Sequence, residues 1–363
     1  MAEAPVESSF PLFEAYPRLR EWIAREPFGL FPTPVERAEA LGRRLGISAL
    51  YVKRDDVSGA VYGGGKTRKL ELFLGEARRG GHATVITFGA VGSHHAVATA
   101  AYASALGMKA HLMLLPQPGD ELVREALLAD LRFGATIRLS PGLAGAEAAA
   151  RRELLAAGDR GEPYVIPVGG SSPLGNVAFV NAAFELVRDV ERGLLPEPDV
   201  VYLAMGTMGS AAGLALGLAA LGKKTRVVAV RASSPGTSSA ARLRAMIVAT
   251  RDHLRALDPA FPAIDPEQCA ITIAGGQLGA GYGRATRRGL ESIDLARDLA
   301  GLALEPTYTA KALAALIADA GSLSDQVVLF WNTQSSRRID VTGVDSHALP
   351  AALRGYFPAA LRR

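Results

Sequence analysis

The sequence predicts an α/β protein of two domains, each a mostly parallel, twisted sheet flanked by helices. Strand-like and helix-like runs alternate through most of the 363 residues, and short connections marked by glycine join them. The chain is longer than one small core requires, and two domains of ordinary size account for its length. Neither an internal repeat nor a low-complexity linker interrupts the alternation.

The predicted strands are short apolar runs, and the predicted helices are longer segments that end near glycines such as Gly107 and Gly134. One more helix is predicted to follow the three glycines at 63–65. The predicted strands are 83–88, 110–115, 135–139, 164–168, 199–204, 226–231 and 327–331. The predicted helices between them are 93–106, 120–133, 144–157, 176–191 and 210–221.

The domain arrangement is predicted to be an insertion. Residues 80–175 form a small α/β domain, and residues 1–79 and 176–363 form a larger, discontinuous one that binds the ligand. The glycine-rich stretch 168–175 is a plausible crossing point between them. Ligands of open α/β sheets bind beyond the carboxyl ends of the strands, so we expect loops 89–93 and 206–210 to face one crevice.

Charge and cysteine content exclude several classes of protein. The 40 basic and 36 acidic residues leave a net charge of +4, without the dense basic run that predicts nucleic-acid binding. Cys269 is the single cysteine, so neither an intrachain disulfide nor a thiolate metal cluster is expected. Residues 1–13 lack the features of a secretory signal, and apolar stretches such as 214–221 are too short to span a membrane. We therefore predict a soluble, cytoplasmic protein that binds neither nucleic acid nor membrane.

Two lysines stand on the apolar side of the helix that follows the three glycines. Lys66 lies one turn before Leu70, and Lys69 lies one turn before Phe73. Lysine is almost never buried without a partner, so this pair predicts an anionic or electrophilic ligand. The apolar stripe consists of Leu70, Phe73, Leu74 and Ala77.

A second motif follows the predicted strand 199–204 and opens a helix. Glycines there let the backbone approach an anion, and the free amides of a helix amino end point toward it. The spacing matches neither a P-loop nor a dinucleotide fingerprint, so a single phosphate fits better; an ordinary strand–helix turn is the alternative. The residues of this loop are Gly206, Thr207, Met208, Gly209 and Ser210.

Ser93, His94 and His95 form a third strand–turn–helix motif. Ser93 is a good helix N-cap. Adjacent helical side chains point in different directions, so the two histidines are not expected to bind one metal ion together. One of them can reach a site while the other packs. We expect no metal in this protein.

Tyr282 and Tyr308 each lie in a loop or at a helix start. A tyrosine in such a place can stack on a planar ring or pass a proton, and simple packing between domains is the alternative. Together with a buried lysine and a single-phosphate cradle in a two-domain α/β chain, these tyrosines indicate the cofactor pyridoxal 5′-phosphate.

The order of these motifs resembles the tryptophan-synthase-β-like fold, fold type II of the pyridoxal-phosphate enzymes. It is more similar still to the family of D-cysteine desulfhydrase and aminocyclopropane-carboxylate deaminase. The resemblance extends from residue 31 to residue 333. Its most specific segments are 52–56, 63–70, 281–283 and 305–311.

The resemblance implies that Lys66 holds the cofactor as a Schiff base and then acts as the base at the substrate α-carbon. Desolvation of a lysine lowers its pKa and frees the amine for such a role. Lys69 would bind the cofactor phosphate together with the backbone of 206–210.

The resemblance also assigns the polar residues around the substrate. Ser93 matches the family serine near the substrate carboxylate, where it can also shuttle a proton. Tyr282 and Tyr308 match the two active-site tyrosines. His94 stands where the family has an asparagine beside the cofactor's phenolic oxygen, and an imidazole there could add acid–base chemistry near neutral pH.

Other departures from the family bear on the substrate. Thr309 stands at the pyridine nitrogen, where the cyclopropane deaminase branch has a glutamate. A neutral threonine supports a weaker electron sink, which suits β-elimination better than ring opening. Gly65 replaces an asparagine before the lysine, and Trp331 is expected to reshape one wall of the site.

The resemblance therefore implies a homodimeric lyase or deaminase that acts on a small β-substituted amino acid such as D-cysteine, releasing pyruvate, ammonia and the leaving group. Alternatives within the family are aminocyclopropane-carboxylate deaminase, cysteate sulfo-lyase, racemase and β-replacement activities. A non-catalytic, nucleotide-binding α/β protein is an alternative of another class. The sequence leaves the substrate and its chirality open.

Overall fold

The computed structural model describes residues 9–159 and 161–358, which contain two sheets. The strands are β1 (Val35–Arg37), β2 (Ala49–Arg54), β3 (Thr84–Ala90), β4 (Lys109–Leu115), β5 (Thr136–Leu139), β6 (Tyr164–Ile166), β7 (Val200–Met205), β8 (Arg226–Arg231), β9 (Ile271–Ala274) and β10 (Val327–Asn332). The helices are α1 (Pro11–Ala15), α2 (Leu19–Trp22), α3 (Glu39–Leu45), α4 (Gly65–Arg79), α5 (His94–Ala105), α6 (Glu121–Arg132), α7 (Ala146–Ala156), α8 (Pro173–Glu191), α9 (Gly209–Ala220), α10 (Ala240–Leu257), α11 (Arg287–Ala300) and α12 (Thr309–Asp319).

The larger sheet has the strand order β1-β2-β10-β7-β8-β9, and the smaller one has the order β5-β4-β3-β6. All neighbouring strands are parallel except β1, which is antiparallel to β2. Helices connect the parallel strands, as the geometry of parallel crossovers requires. The predicted α/β class is confirmed.

The predicted elements between residues 83 and 231 are all present, with shifted ends. The predicted strand 226–231 coincides with β8, whereas α8 begins three residues earlier than the predicted helix 176–191. The earlier start follows from local chemistry: the Ser172 hydroxyl accepts a hydrogen bond from the amide of Gly175, and Pro173 occupies the first helical position. The predictions did not include β1, β2, β9, α1, α2, α3, α10 or α11.

Apolar packing holds helices on both faces of the larger sheet. Leu203 and Leu329 face α8 and α9, while Val228 and Phe330 face α12 on the opposite side. A separate apolar cluster covers the smaller sheet and receives Leu70 of α4. Leu72 of α4 belongs instead to the apolar cluster that α8 and α9 form with the larger sheet. Helix α4 therefore lies between the apolar cores of the two sheets.

The four strands of the smaller sheet all fall within the predicted inserted domain, 80–175, whose boundaries remain a prediction. Side chains near the carboxyl end also contribute to the apolar cluster of the smaller sheet. Leu349, Leu353 and Phe357 are buried in the cluster of the smaller sheet, because that sheet offers them an apolar surface. No helix within residues 9–159 and 161–358 has the length and apolar character needed to span a bilayer.

Candidate active site

A cavity of about 350 Å³ lies beyond the carboxyl ends of β3 and β7. Both loops that were expected to face one crevice border it, as the position of ligands in parallel sheets predicts. The predicted site residues in its lining are Lys66, Ser93, His94, Gly206, Thr207, Met208, Gly209, Ser210, Tyr282, Tyr308 and Thr309. Lys69 is the one predicted site residue that does not line the cavity.

Lys66 is the second residue of α4 and projects into the cavity. The backbone reaches this position through Gly64, whose φ of 95° is strained for any other residue, and a Cβ there would lie 2.7 Å from the carbonyl oxygen of Thr333. The Lys66 amine donates a 3.0 Å hydrogen bond to the carbonyl oxygen of Gly169. Burial lowers its pKa to about 8, so a neutral, nucleophilic amine is accessible near physiological pH.

Lys69 lies behind the loop that was predicted to cradle a phosphate. Its side chain is 1% exposed, and its amine is 3.4 Å from the hydroxyl oxygen of Ser171. The Ser171 hydroxyl in turn is 2.7 Å from that of Thr207 and accepts a hydrogen bond from the amide of Gly209. Burial and the neighbouring Lys66 hold the pKa of Lys69 well below its usual value.

The loop before α9 brings its backbone unusually close to Lys69. A Cβ at Gly209 would lie 2.8 Å from the Lys69 amine nitrogen and 2.6 Å from the Ser171 hydroxyl oxygen. Met208 has a φ of 69°, the only positive value at a non-glycine residue in the described chain. No ion pair in the described chain involves Lys66 or Lys69. A bound phosphate would supply the missing negative charge, so these residues fit a phosphate group.

Ser93 and the two histidines after it begin α5. Ser93 is the N-cap, and its hydroxyl accepts a 3.3 Å hydrogen bond from the amide of Ala96. His95 also borders the cavity but is 2% exposed, with its Nε2 2.9 Å from the hydroxyl oxygen of Thr87. Burial holds the pKa of His95 well below its usual value, so this ring is a neutral packing residue.

His94 faces the cavity, and its Nδ1 atom has two polar partners. This atom is 2.8 Å from the hydroxyl oxygen of Tyr62 and 3.1 Å from the side-chain nitrogen of Gln334. Burial lowers its pKa, and the Lys66 charge lowers it further, although Glu305 acts in the opposite direction. The expected titration of His94 near neutral pH is therefore moved toward lower pH. No group of residues in the described chain is suited to hold a metal ion.

Tyr308 and Tyr282 form a hydroxyl pair at the cavity wall, in which Tyr308 donates to Tyr282 over 2.9 Å. Burial raises the pKa of both hydroxyls, and the interaction with Tyr282 raises that of Tyr308 further. Both phenols are therefore protonated at neutral pH and can act as hydrogen-bond donors.

Glu305 positions Tyr308 and Thr309 by capping α12. Its carboxylate accepts hydrogen bonds from the amides of Thr307, Tyr308 and Thr309 at 2.7–2.8 Å. The Thr309 hydroxyl accepts a bond from the Glu305 amide and is therefore held beside this cap. Glu305 itself does not line the cavity.

Trp331 corrects an expectation. It does not line the cavity: its side chain is fully buried in the apolar core that α8 and α9 form with the larger sheet, where its ring centroid is 6.2 Å from that of Phe179. Side chains alternate along β10, so Trp331 shares the core-facing side of Leu329, whereas Thr333 and Gln334 lie beyond the end of the strand and border the cavity.

A buried network of charges anchors α4. Arg68 lies between the two lysines and pairs with Asp55 at 2.7 Å and with Glu185 at 2.8 Å. Lys53 pairs with Glu185 and with Asp189. The network joins β2, α4 and α8. Segment 52–56, one of the motifs that carry the resemblance, therefore supports the helix of the two lysines and does not line the cavity.

Several residues of the site were missed by sequence reasoning. Ser171 lies in the glycine-rich stretch that was assigned only to a domain crossing, and Tyr62 directly precedes the three glycines. Ser233 lies in a serine-rich turn after β8, and its hydroxyl donates to the carbonyl oxygen of Gly206. These residues had a signal, a polar turn after a strand or beside a glycine motif. Gln334 follows β10 and had the same signal, but its contact with His94 had none, because 240 residues separate the two.

The chain is similar to known proteins in sequence and in structure. The chain is 35% identical to the D-cysteine desulfhydrase of Salmonella typhi over 79% of this chain and 85% of that protein. It is 35% identical to the nocardicin C-9′ epimerase of Nocardia uniformis subsp. tsuyamanensis, over 87% of this chain and 94% of that protein. The crystal structure of an ACC deaminase homologue matches with a TM-score of 0.75 and 29% identity, covering 89% of this chain and 94% of that one.

These likenesses confirm the expected fold type II and the expected cofactor, pyridoxal 5′-phosphate. Residues 27–334, most of the chain and all of the cavity lining, match the family described as pyridoxal-phosphate dependent enzyme. The chain therefore belongs to the pyridoxal-phosphate dependent enzymes.

Proposed function

We propose that this enzyme is a lyase that acts on a small amino acid and removes an uncharged substituent from its β-carbon. D-cysteine is the first candidate substrate. The products would be pyruvate, ammonia and the leaving group, which is hydrogen sulfide for D-cysteine. The similarity to a D-cysteine desulfhydrase over most of the chain supports this substrate class.

One observation carries the proposal: among the described residues, Lys66 is the only charged side chain that lines the cavity. No carboxylate lines the cavity to keep the cofactor's ring nitrogen protonated, because Glu305, which caps α12 beside Thr309, lies outside the lining. A weaker electron sink favours a reaction in which a leaving group carries the electron pair away. The lack of a second cation also disfavours cysteate, because its sulfonate would be buried without a counter-charge.

The protein's own groups have distinct roles in this proposal. The bound cofactor withdraws electrons from the substrate α-carbon. Lys66 would hold the cofactor covalently, and once the substrate amine had displaced it, the freed Lys66 amine would accept the α-proton, for which its pKa of about 8 is suited. Lys69, Ser171 and loop 206–210 bind the phosphate. Ser93 orients the substrate carboxylate.

The hydroxyl pair supplies protons rather than removing them. Because burial raises the pKa of Tyr282 and Tyr308, neither phenol is a base at neutral pH. In the proposal Tyr282 gives its proton to the departing group, and Tyr308 passes its own proton to Tyr282 through the 2.9 Å bond between their oxygens. The α-proton taken up by Lys66 replaces the proton lost from the pair, so both phenols end the reaction protonated.

A substrate panel tests the proposal. We expect pyruvate and ammonia in equal amounts from D-cysteine or β-chloroalanine, and little product from cysteate or aminocyclopropane carboxylate. The panel also includes L-cysteine and D-serine, which define the chirality and the leaving group. Lys66→Ala serves as the inactive control. Turnover of cysteate or of the cyclopropane substrate at rates similar to D-cysteine would contradict the assignment.

Epimerisation at the α-carbon is a second candidate, and the similarity to an epimerase favours it. Lys66 and Ser93 enter the cavity from different elements, so protons could be removed and returned by different groups. In deuterium oxide, an epimerase would produce the opposite enantiomer with deuterium at the α-carbon and without pyruvate. A non-catalytic, nucleotide-binding protein is disfavoured by the family of the chain.

A further inference from the structure

The hydrogen bonds at His94 define more than its position. Two groups from distant segments converge on Nδ1 of this ring: the Tyr62 hydroxyl at 2.8 Å and the Gln334 side-chain nitrogen at 3.1 Å. Tyr62 is 6% exposed and Gln334 lines the cavity, so the inner edge of the ring is enclosed by these two side chains.

The partners determine which ring nitrogen carries the proton. The Gln334 amide nitrogen is a donor only, and a protonated Nδ1 would direct its hydrogen at another donor. Tyr62 keeps its proton, because burial raises its pKa, and can donate it to Nδ1. An unprotonated Nδ1 accepts from both groups, which leaves the ring proton on Nε2.

Three charged groups and one neutral phenol face His94 from four segments of the chain. Lys66 at the start of α4 disfavours an imidazolium, whereas Glu305 before α12 and Asp120 before α6 favour it; Tyr62 is the neutral phenol already described. Burial outweighs both carboxylates and lowers the pKa of the ring. No ion pair of the described chain involves His94.

We infer that Tyr62 and Gln334 are positioning residues that hold His94 as a neutral Nε2–H tautomer, so that the ring presents a hydrogen-bond donor to an acceptor bound beside Lys66. His94 then acts as a fixed donor rather than as a general base. The inference rests on the hydrogen bonds of the ring and not on the proposed substrate, so a negative substrate panel would leave it intact.

Nuclear magnetic resonance of the cofactor-loaded, full-length protein with ¹⁵N-labelled histidine tests the inference directly. The His94 nitrogens are assigned by their loss in His94→Asn. At pH 7.5 we expect the long-range ¹H–¹⁵N pattern of a neutral ring, with an unprotonated Nδ1 and a protonated Nε2. A protonated Nδ1 in the wild-type protein would overturn the inference, and the variant serves only to assign the signals.

Two variants separate positioning from simple packing. Gln334→Glu has the same shape but offers only acceptors, so we expect Nδ1 to become protonated and the ring to titrate at a higher pH. Tyr62→Phe should raise the share of the Nδ1–H tautomer. Tyr202→Phe is the matched control, because it removes a buried hydroxyl bond to Asp319 away from the cavity and should leave the His94 resonances unchanged. An unprotonated Nδ1 in Gln334→Glu would overturn the inference.

Discussion

At the scale of single residues, Lys66 and Lys69 lie three positions apart on α4 but in different environments. Lys66 opens into the cavity and donates to a backbone carbonyl, whereas Lys69 is enclosed beneath the backbone of Gly209. Burial lowers the pKa of both amines. Lys66 therefore has access to a carbonyl ligand, and Lys69 is placed to attract a phosphate, although both have the same chemical group.

Covalent attachment of the cofactor is predicted at Lys66. After borohydride reduction of the loaded enzyme, peptide mapping should locate the pyridoxyl group on this residue, because its amine is the one exposed to the cavity. Lys66→Ala should lose the adduct, the long-wavelength absorbance and the turnover. Lys223→Ala removes an exposed amine that pairs with Glu197 and should retain all three. An adduct on Lys69 instead would contradict the assignment.

Capture of the cofactor should depend on pH through the Lys66 amine. With a pKa of about 8, only about one-tenth of the amine is neutral at pH 7. The rate at which cofactor-free enzyme binds pyridoxal phosphate covalently should rise about tenfold from pH 6 to pH 7 and level off above pH 8. Stopped-flow absorbance measures this rate. If the rate continued to rise up to pH 10, the pKa of Lys66 would be that of an ordinary lysine, which would contradict the prediction.

At the scale of elements, the amino end of α9 differs from the amino ends of four other long helices. The first amides of α6, α8, α10 and α11 are capped by the side chains of Asp120, Ser172, Ser239 and Thr286. The N-cap residue of α9, Met208, provides no such side-chain bond. The amino end of α9 therefore keeps backbone donors for an anion, whereas side chains of the chain itself occupy the amino ends of these four helices.

Gly209→Ala should weaken cofactor binding. Helix propensity alone would favour alanine by about 1 kcal/mol. The new methyl group would instead lie 2.2 Å from the Asn176 side-chain oxygen and 2.8 Å from the Lys69 amine, so the cradle must open. We expect the dissociation constant of the cofactor to rise by about tenfold or more, or about 1.4 kcal/mol. Gly321→Ala is the control, because nothing lies within 4 Å of its Cβ position. Equal affinities in both variants would contradict a tight cradle.

Glu305→Gln should loosen the start of α12 and lower turnover. The carboxylate accepts bonds from three amides at this helix end, and a neutral amide cannot replace the charge. The expected loss of unfolding free energy is about 1–2 kcal/mol, measured by urea denaturation. Glu291→Gln on exposed α11 is the control. A variant as stable as this control, with normal turnover, would exclude Glu305 as a positioning residue for Tyr308.

At the scale of the whole molecule, the buried charge network ties the lysine helix to the larger sheet. Burial alone would raise the pKa of Glu185, but Arg68 and Lys53 lower it below its usual value. Such a network requires every member, because removing one leaves a buried charge without a partner. It holds α4 in place between the two cores that enclose the cavity.

Arg68→Met should cost about 3–5 kcal/mol of unfolding free energy, since Asp55 and Glu185 lose their shared cation. Urea denaturation of the loaded enzyme measures the loss. Arg188→Met removes a partly exposed pair with Glu14 and should cost less than about 1 kcal/mol. If the two variants lose similar stability, the network does not anchor the helix as argued.

Local sequence patterns were sufficient to predict the fold class and two of the motifs of the site. The alternation of apolar runs established the α/β class, and the glycine motifs identified Lys66 and the loop before α9, because backbone freedom and helix periodicity are properties of short segments. The domain boundaries, the dimer and the residue roles remain predictions.

Contacts between distant segments follow from the folded structure and not from local sequence. That structure placed Gly169 against the Lys66 amine across 103 residues and Gln334 against His94 across 240, and it directed Trp331 into the core. Burial by distant segments also set the directions of the pKa shifts. The reason is physical: desolvation and pairing depend on every neighbour in space, and neighbours from remote segments leave no trace in the local pattern.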